Sequence, residues 1–126
     1  MAWGDNITMN NGIIYACIHK STGKRYIGST IQGLIERKRS HLLSCNTRPN
    51  KHNSNSSFSS GSYDSKFYTA IRNCGFNDFE WIVLHKGLNL EEIYDYEMAY
   101  ILLYDTINSG YNSEEPTKLT YNTLEI

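Results

Sequence analysis

Five side chains of this sequence are of types that serve acid–base or phosphate chemistry: Tyr15, Tyr26, Arg37, His41 and Glu97. The two tyrosines lie on β-rich runs, Ile13–His19 and Lys24–Gly28, that flank the turn-forming run Lys20–Gly23. A Gly-containing loop of this length between β-branched segments predicts a β-hairpin. With Lys20–Gly23 as the loop, His19 faces Lys24 and Cys17 faces Tyr26. Tyr15 then lies diagonally from Tyr26 on the same face, about 7–8 Å away. Two phenol hydroxyls in that register could converge on one object, and a slip of one residue would separate them onto opposite faces. The same pattern also describes a tyrosine-rich hairpin packed on a core.

Arg37 and His41 are four apart in a predicted helix and so share a face, about 6 Å from each other. A guanidinium matches phosphate oxygens with its planar fork, and an imidazole shuttles protons or donates to a non-bridging oxygen. A solvated basic helix face accounts for the pair equally well. Glu97 falls inside an apolar stripe of a later helix, formed by Leu90, Ile93, Tyr94, Tyr100, Ile101 and Tyr104. An ionised carboxylate there costs several kcal/mol unless it is paired, hydrogen-bonded or bound to a metal. Two readings are open: a buried carboxylate accepting bonds from tyrosines and an arginine, or a metal ligand.

The elements that must position these groups follow from pattern. Residues 1–10 have no periodicity and read as a loose arm, anchored at most by Trp3. Ile31–Ser44 reads as a helix with Ser29 or Thr30 as N-cap. Its apolar stripe is Ile31, Leu34, Ile35 and Leu42, and its other side carries Glu36, Arg37, Lys38, Arg39 and His41. Residues 46–65 are Asn/Ser-rich and predict a mobile loop. Ser65–Asn73 is a short helix with Phe67, Ala70 and Ile71 at helical spacing, ended by Gly75. Phe79–Leu84 is the third strand. Leu90 to about Tyr104 is the last helix, with Asn89 as N-cap and Glu91 and Glu92 at its positive end. Asn108–Asn112 is a turn, and 113–126 carries no clear signal.

At 126 residues the chain predicts one domain, 1–112, with a short tail. No run approaches the roughly 18 apolar residues of a membrane span, and the first residues lack a charged-then-apolar leader, which together predict an intracellular protein. Cys17, Cys45 and Cys74 are too few and too scattered for a zinc site or a disulfide framework, so reduced thiols are expected. Charge is unevenly spread along the chain. Residues 1–75 carry ten Lys/Arg against three acids, a net of +7, and residues 76–126 carry two Lys against ten acids, a net of −8. A basic half of this kind suits a footprint for phosphates, and the acidic half limits indiscriminate binding.

Ile13-Ile14-Tyr15, followed eleven residues on by Tyr26-Ile27-Gly28, resembles the motif pair of the GIY-YIG nuclease family. The second triplet matches outright. In the first, Ile13 stands where glycine is usual and Gly12 comes one position earlier, leaving the tyrosine and its spacing intact. Arg37-Lys38-Arg39-Ser40-His41 resembles the family's Arg-x-x-x-His helix. Tyr96-Glu97-Met98-Ala99-Tyr100-Ile101 resembles its glutamate helix, and Gly110-Tyr111-Asn112 its closing element. Phe67, Ala70-Ile71, Gly75 and Phe79-Glu80 resemble the pattern before its third strand. The resemblance covers roughly 12–112.

It implies a small α/β fold, a three-stranded antiparallel sheet flanked by helices in the order β-β-α-α-β-α. It implies metal-dependent hydrolysis of DNA phosphodiesters. Glu97 would be the sole carboxylate ligand to Mg²⁺ or Mn²⁺, with waters and substrate phosphate completing the shell. Arg37 would stabilise the phosphorane. Tyr15, supported by Tyr26, or else His41 would handle the proton of the attacking water. A phenol acting as base would need its pKa lowered by cations, for which Lys24, Arg37 and His41 are the candidates. Lys24, Gly28, Arg39, Arg48, Lys51 and Asn112 are the remaining candidates for contact with substrate, and Asn112 could instead brace the tyrosines. A separate DNA-reading domain does not fit in 113–126, so a stand-alone nuclease of a phage, large virus or mobile element is expected, with specificity modest or supplied by a partner protein or a dimer. The alternative is a DNA-binding module of the same fold that does not cut.

Overall fold

The computed structural model describes residues 10–47, 65–113 and 116. Strand β1, Gly12–His19, pairs antiparallel with β2, Arg25–Thr30, in the register the hairpin pattern demands: Cys17 faces Tyr26 and Ile18 faces Arg25. The His19 amide closes the turn on the Lys24 carbonyl at 2.9 Å. Strand β3, Phe79–Leu88, pairs with the other side of β1, giving an antiparallel sheet ordered β2-β1-β3. Being central, β1 is covered on both faces, and Ile14, Tyr15, Ala16 and Cys17 are all buried. Alternation then sorts its side chains. Ile14 and Ala16 join Ile27, Leu88, Ile93 and Ile101 in one core, whereas Cys17 joins Cys45, Phe67, Tyr68, Ile71 and Phe79 in a second core across the sheet.

The first core is closed by α3, Leu90–Tyr104, whose buried positions Ile93, Glu97 and Ile101 recur every fourth residue. Its start is well specified. The Asn89 side chain accepts from the Glu92 amide at 2.8 Å, and the Glu92 carboxylate accepts from the Asn89 amide at 3.0 Å, a reciprocal capping box. The second core is closed by α1, Leu34–Asn46, and α2, Lys66–Cys74. Ser65 caps α2 by accepting from the Tyr68 amide at 3.2 Å. A 3₁₀ turn, Phe76–Asp78, leads into β3, and a short helix α4, Thr106–Ser109, follows α3 where the sequence pattern showed only a turn from Asn108.

Three features differ from expectation. Helix α1 starts at Leu34, and Ser29 and Thr30 are not its caps. Both belong to β2, in register with Ile14 and Ile13, and the helix begins only after Gly33 turns the chain at φ 91°. Its inward face is also different. Ile35 is 75% exposed whereas His41 and Cys45 are buried, because the sheet offers α1 the polar tyrosine tips of β1 and β2. Finally β3 runs past Leu84 to Leu88, its pairing with β1 slipping by a residue between Ile14 and Tyr15 and again between Gly12 and Ile13. These irregularities let the strand continue until Leu88 reaches the core.

The three cysteines are free, as expected, with Cys17 and Cys45 buried and Cys74 exposed. Among the described residues no helix is long and apolar enough to cross a membrane. An unanticipated histidine, His19, ties the hairpin turn to the rest: its ring bonds the Tyr111 hydroxyl at 2.8 Å and Asp78 at 2.7 Å while stacking on Phe79.

The outer edge of β2 is covered by the segment after α4. The Tyr111 amide donates to the Arg25 carbonyl at 2.8 Å. Asn112 then acts like a further strand residue: its Oδ1 accepts from the Ile27 amide at 2.8 Å and its Nδ2 donates to the Ile27 carbonyl at 2.9 Å. Both groups are buried, so an aspartate here would keep the acceptor and lose the donor, setting a carboxylate against a carbonyl. Asn112→Asp is expected to lower stability by about 2 kcal/mol at neutral pH. The folded state would hold that carboxyl protonated to higher pH than the unfolded chain does, so the loss should shrink on acidification. Urea denaturation at neutral and acidic pH checks this; an equal loss at both would mean the donor to Ile27 is immaterial.

Candidate active site

Tyr15 and Tyr26 share a face of the hairpin with ring centroids 6.3 Å apart, as the diagonal register requires. Above them α1 contributes Arg37 and His41, α2 contributes Phe67 and Tyr68, and β3 contributes Trp81. The Tyr26 ring lies flat on Phe67, with centroids 4.1 Å apart and planes within 1°. Tyr15 is hemmed in by Tyr26, His41 and Trp81 and has no exposed surface. Its ring fits only because Gly28, its cross-strand partner, lacks a side chain: a Cβ there would sit 2.4 Å from the Tyr15 Cζ and Oη.

The hydrogen bonds form a line through the buried ring of His41. Tyr15 Oη lies 2.5 Å from Nε2, and Tyr68 Oη lies 2.7 Å from Nδ1. The Arg37 guanidinium lies close enough to the Tyr15 hydroxyl for its charge to favour the phenolate. Burial, reinforced by the Arg37 charge, pushes the His41 pKa well below the usual histidine value, so the imidazole is neutral at physiological pH. Burial drives Tyr15 the other way, well above the usual phenol value; Tyr26 adds to the rise, and the Arg37 charge only partly opposes it. Tyr26 is likewise raised, chiefly by burial and then by the Glu97 charge. The expectation that cations would lower the Tyr15 pKa is therefore corrected. Of the three cations considered, His41 is uncharged, the exposed Lys24 ammonium lies 5.9 Å from the centre of the Tyr111 ring, and Arg37 alone reaches the phenol.

Glu97 enters from α3 with 9% of its surface exposed. Burial raises its pKa to about 7, against a hydrogen bond from Ser29 and the charge of Arg37, which both favour the carboxylate. A carboxyl so placed is half-ionised near neutrality. Its donor chemistry suits a hard divalent ion. Among the described residues no three His, Cys, Asp or Glu side chains gather to form a closed metal cage. A single oxygen ligand fits an ion that keeps most of its waters, as Mg²⁺ does.

The remaining sequence candidates fall differently. Asn112 spends its carboxamide on Ile27, so it braces the strand between Tyr26 and Gly28 and is not free for phosphate. Gly28 serves by leaving room for Tyr15. Arg39 projects to solvent and pairs with Glu36 at 2.7 Å, away from the tyrosines. Arg48 and Lys51 lie outside the described residues, as does most of the 46–65 loop. Tyr68 and Ser29 contact the site without having been singled out. Tyr68 shares the buried face of α2 with Ile71 three residues on, and a phenol on such a stripe is the one sequence signal that it needs a polar partner. Ser29 was obscured by its resemblance to a helix cap.

The fold and the sequence both have counterparts. The catalytic domain of intron endonuclease I-TevI, solved as a glutamate-to-alanine mutant, superposes with a TM-score of 0.66 at 20% identity, over 85% of this chain and 97% of that one. A second structure of the catalytic domain of homing endonuclease I-TevI gives 0.63 at 18%, over 82% and 98%. No curated protein sequence matches significantly. Residues 11–112 match the GIY-YIG catalytic domain family, a span that begins before β1 and ends on Asn112. This chain belongs to the GIY-YIG nuclease family, and its β1–β2 tyrosines, α1 Arg-x-x-x-His and α3 glutamate stand on that family's fold.

Proposed function

We propose that this protein is a divalent-metal-dependent endonuclease that hydrolyses DNA phosphodiester bonds. The observation that carries the reading is the buried His41 ring, 2.5 Å from the Tyr15 hydroxyl, with the Arg37 charge acting on His41, on Tyr15 and on the buried Glu97 carboxyl alike. Arg37 can only donate, so it turns N–H groups toward Tyr15 Oη, and in this mechanism the phenol hydrogen points to His41 Nε2. One lone pair remains to hold the attacking water, and because Tyr15 has no exposed surface in the free protein, DNA binding has to open the site there. As that water approaches phosphorus it gives its proton to Tyr15 Oη while Tyr15 gives its own to His41. Tyr15 thus orients the nucleophile and relays the proton without ionising first, which reconciles its raised pKa with a role in base catalysis. The Arg37 fork would meet the charge that builds on the phosphorane. Glu97, oriented by Ser29, would hold Mg²⁺ or Mn²⁺, which when bound offsets charge on the phosphate and the departing 3′ oxygen.

Plasmid cleavage by wild-type protein and Glu97→Ala, with Mg²⁺, Mn²⁺ or EDTA, tests the proposal. The expected result is nicked or linear product from wild type with either metal and none with EDTA or with the variant. Folded wild-type protein that binds DNA but cuts no form of it would leave a binding module of the same fold.

A further inference from the structure

Tyr68 is required by none of the chemistry above, yet its hydroxyl is the second of the two groups that the His41 ring hydrogen-bonds. A neutral His41 donates from one ring nitrogen and accepts at the other, so it accepts from one of its two phenols and donates to the other. Arg37 beside Tyr15 Oη can only donate, which favours the arrangement in which Tyr15 gives its hydrogen to Nε2. A neutral imidazole with a bare Nε2 carries its hydrogen on Nδ1, and that hydrogen points at Tyr68 Oη, 2.7 Å away. The ring has little room to turn, being packed edge-on to Tyr26, Phe67 and Tyr68. At the far end, Ser44, a partly exposed residue of α1, lies close enough to the Tyr68 hydroxyl to favour its charged form.

We propose that Tyr68 is a positioning residue that holds His41 in its Nδ1–H tautomer and takes the proton His41 gives up as Tyr15 is deprotonated. The inference rests on the proposed nuclease reaction for its second half only. An imidazolium is disfavoured here, because His41 is buried and faces Arg37. The shift therefore has to pass charge through. The attacking water loses a proton to Tyr15 Oη, and the former Tyr15 hydrogen moves to His41 Nε2. The Nδ1 hydrogen moves to Tyr68 Oη, and the Tyr68 hydrogen leaves through Ser44 to bulk water. Each group gains one proton and loses one, hydroxide is delivered to phosphorus, and His41 ends as the Nε2–H tautomer without becoming a cation.

The test is Tyr68→Phe, which keeps the ring and its packing and removes only the hydroxyl. With ¹⁵N-histidine label, wild-type His41 is expected to show a bare Nε2 and a protonated Nδ1 with a hydrogen-bonded, slowly exchanging proton. In Tyr68→Phe the two nitrogen shifts should converge as the tautomers mix. Single-turnover cleavage should fall on the order of 10²-fold with DNA affinity unchanged, and the loss should vanish in a His41→Ala background. Unaltered His41 nitrogen shifts in Tyr68→Phe overturn the proposal, as does a cleavage loss that persists without His41. If the shifts converge but wild-type protein cuts no DNA, the hold of Tyr68 on the tautomer stands and the nuclease reading falls.

Discussion

Glu97→Gln is expected to unfold at higher denaturant concentration than wild type near pH 8 in the absence of divalent metal, and to cleave no DNA. The carboxyl has a pKa of about 7 in the folded protein against 4.5 for an ordinary glutamate. Between those values the unfolded chain has released its proton and the folded one has kept it. Stability therefore falls as pH rises from about 4.5 to about 7 and stays reduced above that. The difference between the two values corresponds to about 3.5 kcal/mol, an upper bound because a residue at this site relaxes on substitution. Glutamine is close in shape, can still accept from Ser29, and carries no such penalty. It is also a poor ligand for a hard cation. The difference between the two proteins should close as pH falls toward 4.5, and Mg²⁺ should stabilise wild type near pH 8 but not the variant. Denaturation curves at several pH values, with and without metal, measure all of this apart from cleavage. Equal stability at about pH 8 would mean that the Glu97 carboxyl is not held in a low-dielectric setting.

The second large effect is at Gly28. In Gly28→Ala the new Cβ meets Tyr15 Cζ and Oη at 2.4 Å. The phenol cannot yield easily: it is fully buried, its oxygen is held by His41, and Tyr26 and Trp81 flank its ring. Overpacking of this kind costs roughly 1–3 kcal/mol. If the chain accommodates by moving the ring, the Tyr15 hydroxyl leaves its place by an ångström or so, a displacement that costs on the order of 10²-fold in rate. Thermal unfolding and single-turnover cleavage of Gly28→Ala should thus both fall, with DNA affinity less affected. In a Tyr15→Ala background the stability cost of Gly28→Ala should disappear, since the atoms it meets are gone. Wild-type cleavage by Gly28→Ala would show that the Tyr15 position is not critical.

Local rules determined much of this molecule. The hairpin register follows from a four-residue loop and the period-two alternation of its strands, so Tyr15 and Tyr26 were placed on one face before any tertiary contact was known. The Asn89 cap and the burial of Glu97 follow from spacing along a single helix. The resemblance of five ordered elements to one family then supplied the sheet and the reaction class. Other features depended on which surfaces meet. The inward turn of α1, with Ile35 in solvent and His41 buried, contradicts its apolar periodicity, because the partner surface is made of tyrosine tips rather than aliphatic groups. Ser29 as a strand residue on Glu97, Asn112 as the brace of β2 and Tyr68 as the second partner of His41 each join residues 27 to 85 positions apart. The protonation states were decided by tertiary structure as well. Sequence sets the ordinary pKa of each group, but burial by distant segments moves His41 down and Tyr15 and Glu97 up, because desolvation depends on what the rest of the chain packs around the charge.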